Sequence, residues 1–176
     1  MRLNKGFFNR KAEIVAKDLL GNLLIIKLDK KKLVSKIVET EAYYGSKDPA
    51  SRAYKKTNMS KVMWDEPGTI FVYNVHKYWM FNIVTENKGK PGAVLIRALE
   101  PLNFKADLSG PGKLTRFLDI NKNLNKKNIF EINEIEIVNN NEKIKIGCSN
   151  RIGVKKDLKK KLRFFIEDNK FVSKLR

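Results

Sequence analysis

The chain has 176 residues, enough for a substantial core and too few for two comfortable domains. Hydrophobic residues make up 42% and aromatic residues 10%, which excludes a mainly disordered chain, and 37 Lys and Arg against 19 Asp and Glu leave a net charge of +18. Such a charge on a folded domain favours a polyanionic partner, because cations that displace counterions bind phosphates without reading sequence. The plainer source is a lysine-biased composition, visible in runs such as Lys30-Lys31-Lys32 and Lys159-Lys160-Lys161.

Cys148 is the single cysteine and His76 the single histidine, so neither an internal disulfide nor a dedicated zinc site is expected. The apolar run Leu19–Ile26 is broken by Gly21 and Asn22 and reads as neither signal peptide nor membrane span. A soluble, intracellular protein is expected.

In chain order, Asn9 is placed to cap a helix through Ala12, Val15, Ala16, Leu19 and Leu20, with Gly21 as its stop. Residues 22–28 read as a strand, and a turn over Asp29–Lys32 returns the chain into Ile37–Tyr44, which Gly45 ends. Residues 46–67 are polar and irregular, with Asp48-Pro49 and Pro67-Gly68 as turn signals. Residues 69–74 and 80–85 form an aromatic-rich hairpin whose tip is His76-Lys77-Tyr78-Trp79, basic and flat enough to insert between bases, unless Tyr78 and Trp79 turn to the core. Residues 93–98 read as a strand buried on both faces, in which Arg97 needs a partner. Ser109–Thr115 enters a helix running to about Ile120; Leu114 between Lys113 and Thr115 breaks the spacing of a nucleotide-binding loop, yet Gly112 and Lys113 at a helix start can hold one backbone phosphate. Residues 130–138, 142–148 and 162–166 are further strand-like pieces.

Ile37–Tyr44 carries the chemistry. Alternation along a strand points Val38, Thr40 and Ala42 one way and Glu39, Glu41 and Tyr43 the other. If that second face borders a pocket, one carboxylate can activate a water while the ring stacks on a flat substrate. If it borders solvent, the pair means nothing. The acidic wall is also the obvious partner for Arg97.

Four blocks, in order and spanning nearly the whole chain, resemble the alkyladenine (3-methyladenine) DNA glycosylases: Val38–Tyr43 with Asp48–Ser51; Pro67–Tyr73 with Asn82; Val94–Pro101; and Gly110–Leu114 with Asp119–Lys122. A weaker match covers Arg151–Val154 and Leu162–Phe165. The resemblance implies an α+β fold, a single compact domain over residues 1–176 with a curved, mostly antiparallel β-sheet flanked by helices and a protruding hairpin that inserts into DNA. It implies no metal and no cofactor. The activity implied is hydrolysis of the N-glycosidic bond of alkylated purines (3-methyladenine, 7-methylguanine) flipped out of duplex DNA, leaving an abasic site without strand cleavage; acceptance of hypoxanthine stays open. Glu41 matches the water-activating carboxylate, Arg97 the arginine that helps place it, Tyr43 and Tyr73 the aromatic walls, and Asn82 the residue that disfavours guanine. A monomer acting on damaged double-stranded DNA in the cytoplasm around the nucleoid, or in the nucleus, follows.

Two departures stand out. Where the family commonly carries histidine after Asp-Pro-Ala-Ser, this chain has Arg52, a permanent cation in the substrate-binding set. The hairpin tip is one residue shorter than the usual pattern, so the wedge that fills the gap left by the flipped base falls on His76 by direct counting and on Tyr78 if the gap is shifted; Lys77 between them is a DNA contact either way. Two rivals remain: a binding protein that kept the fold and lost the chemistry, and a hydrolase of free nucleosides, which would not need the +18 charge.

Overall fold

The computed structural model describes residues 1–28 and 30–174, so Asp29 of the expected 29–32 turn lies outside the described residues. The elements are α1 (Lys5–Phe8), α2 (Ala12–Leu19), β1 (Leu23–Leu28), β2 (Lys31–Tyr43), β3 (Ile70–Val75), β4 (Tyr78–Val84), β5 (Ala93–Pro101), α3 (Pro111–Phe117), β6 (Ile135–Val138), β7 (Ile146–Ser149) and β8 (Arg163–Ile166). The expected α+β class holds. The eight strands form one curled antiparallel sheet in the order β3-β4-β5-β2-β1-β6, with β8 paired to β2 and β7 to β8. Among the described residues no helix is long and apolar enough to cross a membrane.

The long strand β2 organises the sheet. One edge pairs with β5 from Ser35 to Tyr43. The other pairs first with β1, ending at Lys36, and then with β8 over Glu39–Glu41. The changeover coincides with two register shifts against β5: Ile37 faces Leu99, Glu39 faces Ala98 and Thr40 faces Ile96, so Val38 on β2 and Arg97 on β5 are each an extra residue. Bulges of this kind increase local twist and re-aim side chains. They let the far half of β2 leave β1 and take a new neighbour.

Helix α2 covers one face of the sheet with Ala12, Val15, Ala16 and Leu19, all buried, and the two alanines permit close approach. Thr40 fixes the register by donating its hydroxyl to the Ala16 carbonyl at 2.8 Å. Since Thr40 faces α2, its neighbours Glu39 and Glu41 are directed to the opposite face. There residues 46–67, expected as irregular loop, fold back in two short 3₁₀ turns (Arg52–Tyr54 and Ser60–Trp64). Buried Ala53, Val62 and Met63 of those turns pack on Phe71, Val84 and Ala93, with Tyr43 and Tyr73 against the same cluster.

Several boundaries differ from the sequence expectation. Asn9 does not cap α2; it ends the short α1, whose own cap is Asn4, accepting from the Phe7 amide at 3.1 Å. β2 starts six residues earlier than Ile37, at Lys31, because pairing with β1 extends it through Lys31 and Lys32, which are exposed, and through Leu33–Lys36, a stretch with no hydrophobic alternation. Tyr78 and Trp79 belong to β4 and only His76-Lys77 is left between the strands, Val75 pairing with Tyr78. His76 takes the left-handed φ of 54° that so tight a connection needs. α3 stops at Phe117 rather than Ile120, and Asp119 follows with a left-handed φ of 52°. Ordered turns occupy most of 130–134, so only 135–138 pairs as β6, and the strand expected over 142–148 is Ile146–Ser149.

Glu39 is the joint of this architecture. Its carboxylate, fully buried, accepts from Arg97 Nε (3.0 Å), Arg163 Nε (2.7 Å), Ser173 Oγ (2.8 Å) and the Ser173 amide (2.7 Å), tying β2 to β5, β8 and the C-terminal segment. Removing one partner of a buried ion pair strands the other charge, so Glu39→Ala is expected to lower the free energy of unfolding by about 3–5 kcal/mol in urea denaturation.

Candidate active site

Beside the joint, on the same strand face, a cavity of about 690 Å³ opens to solvent. Its walls include Tyr43 at the end of β2, Ala50–Arg52 in the loop, Tyr73 and Val75 on β3 with Met80 on β4, and Ile152–Lys156 before β8. Leu95 and Arg97 of β5 also line it. A small recess continues inward between Tyr43, Arg52, Met63, Phe71, Tyr73 and Asn82. Asn82 is held rigidly there, its amide donating to the carbonyls of Phe71 and Met80 at 3.1 and 3.2 Å.

Glu41 lies behind this cavity with no exposed surface. Its Oε2 accepts from the Tyr43 hydroxyl at 2.6 Å and its Oε1 from the Ile152 amide at 2.7 Å, with Arg97 Nη1 at 3.5 Å. Burial raises its pKa above the ordinary 4.5; Arg97, the Ile152 amide and Tyr43 pull it back without cancelling the shift, and Glu39 adds to it. The same burial, together with the Glu41 charge, drives the Tyr43 hydroxyl well above the usual tyrosine range, so Tyr43 stays a neutral donor. Tyr73 is raised for the same first reason.

The two carboxylates are thus chemically distinct. Glu39 has its oxygens occupied by four donors, whereas Glu41 has two short bonds and one long contact on groups with about four acceptor positions. Glu41 retains capacity for a water; Glu39 does not.

The geometry of the wall depends on Arg151, which in the sequence stands only in the weaker of the segments resembling the family. Its buried guanidinium forks onto Asp48 with both bonds at 2.7 Å, reaches Asp157 at 2.6 Å, and donates to the Ala42 carbonyl at 2.9 Å. It also lies 4.6 Å from the Tyr43 ring centre. Burial works to raise the Asp48 carboxyl, but the bonds from Arg151 and from the Tyr44 and Ala50 amides outweigh it and hold it below the ordinary range. Arg151 therefore clamps the loop at Asp48 to the end of β2 and sets the next residue's amide on Glu41. Arg163 and Ser173, which anchor Glu39, were missed as well. For Arg163 the surrounding Leu162, Phe164, Phe165 and Ile166 resemble the apolar setting that made Arg97 conspicuous, but they do not name its partner, and the polar, basic surroundings of Arg151 and the setting of Ser173 carry no such signal.

Of the residues expected to act together, Glu41, Tyr43, Arg52, Tyr73, Asn82 and Arg97 gather around the cavity and its recess. His76 and Lys77 are exposed at the β3–β4 turn. Tyr78 packs against Gly112, where a Cβ would meet its ring and Cβ atoms at 2.5–3.0 Å, and Arg116 covers the ring at 5.2 Å. Lys113 does not line the main cavity; it pairs with Asp107 at 2.6 Å on the rim of a neighbouring cleft of about 860 Å³. Among the described residues no cluster of three metal-ligating side chains occurs.

A curled antiparallel sheet thus holds a buried carboxylate behind an aromatic, cation-rimmed cavity, and similarity to known proteins gives that architecture its class, a DNA-acting hydrolase. Residues 6–170 match the methylpurine-DNA glycosylase family. Over 98% of this chain and the whole of the relative, the sequence is 43% identical to a protein of Borrelia garinii subsp. bavariensis and 45% identical to one of Borreliella afzelii. It is 37% identical to a protein of Aeropyrum pernix over 99% of the chain and 94% of the relative. All three carry names that mark them as candidate 3-methyladenine DNA glycosylases. The chain belongs to the methylpurine-DNA glycosylase family: it is a DNA glycosylase of the 3-methyladenine type, a hydrolase of N-glycosyl bonds that acts on DNA.

Two stability outcomes follow from this site. Arg151→Met leaves Asp48 buried without its fork and is expected to cost about 3–5 kcal/mol in urea denaturation, and Arg151→Lys, lacking the fork, is expected to recover little of it. Glu41 has the opposite sign. Its folded pKa lies above the unfolded one, so its favourable contribution is complete below pH 4.5 and is lost as pH rises through the folded value. Near neutrality burying this carboxyl is therefore a net cost, and Glu41→Gln, which keeps an acceptor for the Ile152 amide, is expected to raise the Tm at pH 7. The gain should shrink as the pH is lowered, and thermal melts across that range would read it.

Proposed function

We propose that Glu41 activates the water that cleaves the bond between a damaged purine and its deoxyribose in duplex DNA. The observation that carries this reading is the carboxylate's setting: buried, raised in pKa and short of donors, behind a cavity whose walls are tyrosines. Glu41 accepts a proton from the water, the water oxygen bonds to C1′, and the C1′–N9 bond breaks with its electron pair leaving on the purine. Arg97 holds the carboxylate and the water in place. Positive charge developing on the sugar is stabilised by the same carboxylate.

An atom inside a stacked duplex cannot reach such a site, so the nucleotide is extruded into the cavity, with Tyr43 and Tyr73 as the stacking walls. Asn82, pinned at the end of the recess, crowds the exocyclic amine of guanine. The substrates are alkylated purines, 3-methyladenine and 7-methylguanine, and deaminated purines. His76, exposed at the tightest point of the hairpin, is the wedge, because the Tyr78 ring is already held between Gly112 and Arg116. Lys77, Gly112 and Lys113 contact the flanking backbone. Among the described residues no lysine bonds Glu41, and the reaction stops at an abasic site without strand cleavage. The protein works as a monomer wherever the cell keeps its DNA, in the cytoplasm around the nucleoid or in the nucleus.

Single-turnover base release from duplexes carrying 3-methyladenine, 7-methylguanine or hypoxanthine tests the reading. Glu41→Gln is expected to slow release by roughly 100-fold or more while duplex binding, steeply weakened by salt, survives. The abasic product should stay intact until alkali is added. Full activity in Glu41→Gln would remove Glu41 from the role, and binding without release from any duplex would leave a binding protein on this fold.

A further inference from the structure

The two tyrosines of the cavity each carry a guanidinium, in different ways. Arg151 lies 4.6 Å from the Tyr43 ring centre, but it is buried and held by Asp48 and Asp157, so it belongs to the wall. Arg52 lies 4.7 Å from the Tyr73 ring centre, is exposed, makes no ion pair among the described residues, and lines both the main cavity and its inner recess. Its backbone is fixed: Ser51 opens the 3₁₀ turn by accepting from the Ala53 amide at 3.1 Å, and Ala53 is buried in the core beneath. A ring entering beside Tyr73 therefore meets this guanidinium.

The charge of the cavity sharpens the consequence. Arg52, Arg97, Lys155 and Lys156 line it, and among the described residues no carboxylate does; Glu41 sits behind the wall and is engaged by Arg97. A cationic ring is disfavoured beside Arg52, whereas a neutral purine carries no such penalty. A guanidinium also offers only donors, in a fork that matches the O6 and N7 acceptors on one edge of a 6-oxopurine. A 6-aminopurine presents a donor at that position, and a 7-alkylpurine has no N7 lone pair left.

We infer that Arg52 is a specificity-determining residue that turns this enzyme toward neutral 6-oxopurines with a free N7 and away from cationic N-alkylpurines. With Asn82 at the end of the recess opposing a 2-amino group, the base that satisfies both is hypoxanthine. The inference rests on the proposed glycosylase reaction and names its preferred substrate. When the C1′–N9 bond breaks in a neutral nucleotide, the electron pair leaves as an anion spread over N9, N7 and O6. Donation from Arg52 to O6 and N7 stabilises that anion, so this residue acts on release as well as on binding.

The test compares single-turnover release of hypoxanthine and of 3-methyladenine from otherwise identical duplexes by the wild type, Arg52→Gln and Arg52→Lys, with circular dichroism to confirm folding. Wild type is expected to release hypoxanthine faster, and Arg52→Gln to lower the hypoxanthine-to-3-methyladenine rate ratio by roughly 10-fold or more, by slowing the first and speeding the second. Arg52→Lys, which keeps the charge and loses the fork, should leave 3-methyladenine slow and recover only part of the hypoxanthine rate. Release of both bases with a ratio that Arg52→Gln leaves within two-fold, or moves the other way, overturns the inference and leaves the glycosylase reading standing. No release of either base from wild type overturns both.

Discussion

Arg97 is shared between two buried carboxylates on one strand, and most of the molecule is arranged to make that possible. Two carboxylates on one face of a strand repel, and burying both without a counter-charge would shift one to its neutral form. Arg97 reaches Glu39 at 3.0 Å and Glu41 at 3.5 Å because it is the extra residue of a bulge, aimed by the register shift instead of by strict alternation. The compensating shift at Val38 lies on β2 itself. Those two irregularities also release β2 from β1 and admit β8, whose Arg163 supplies the second guanidinium to Glu39. One electrostatic requirement accounts for the twist, the branching of the sheet and the position of the C-terminal segment.

The carboxylates differ in how far their oxygens are satisfied, and on the proposed reaction that difference divides stability from reactivity. Glu39 is saturated with donors and therefore inert. Glu41 is undersupplied, so its charge is costly and its free lone pairs are available. The surroundings of Glu41 are rigid for the same reason that they are sparse: the Ile152 amide is presented by Arg151, Arg151 is locked by Asp48 and Asp157, and Asp48 is bonded by the Tyr44 and Ala50 amides. Strand, loop and the segment before β8 converge on one carboxyl group, with few of their bonds made to it.

Much of this was legible in the sequence. Alternation along Ile37–Tyr44 put Glu39, Glu41 and Tyr43 on one face, and an arginine in an apolar strand demanded the acidic partners it has. What failed to show were features with no local signature. β2 extends back through lysines because strand pairing, which satisfies backbone groups whatever the side chains, carries it there. Asn9 looks like a cap for α2 only if the preceding turn of helix goes unseen; α1 is too short for periodicity to reveal. The loop over 46–67 reads as irregular since its order comes from Ala53, Val62 and Met63 meeting a distant sheet face. Arg151 and Arg163 lie more than 100 residues from Asp48 and Glu39, and such pairings are set by the completed fold.

The positive charge, 37 basic side chains against 19 acidic, takes a different meaning once the site is in view. Exposed lysines at 155 and 156 on the cavity mouth add to a field that draws in a phosphate chain, and at the entrance that field has no chemical preference among bases. Inside, the same sign of charge becomes selective. On the inference drawn for Arg52, a guanidinium carried on a short, cored turn beside a tyrosine acts on the edge of the base instead of on its backbone. The carboxylate that would otherwise favour a cationic guest is turned inward and partly neutralised by Arg97. That inference assigns attraction of the DNA and discrimination of the base to different cations of one cavity, at its rim and on its wall.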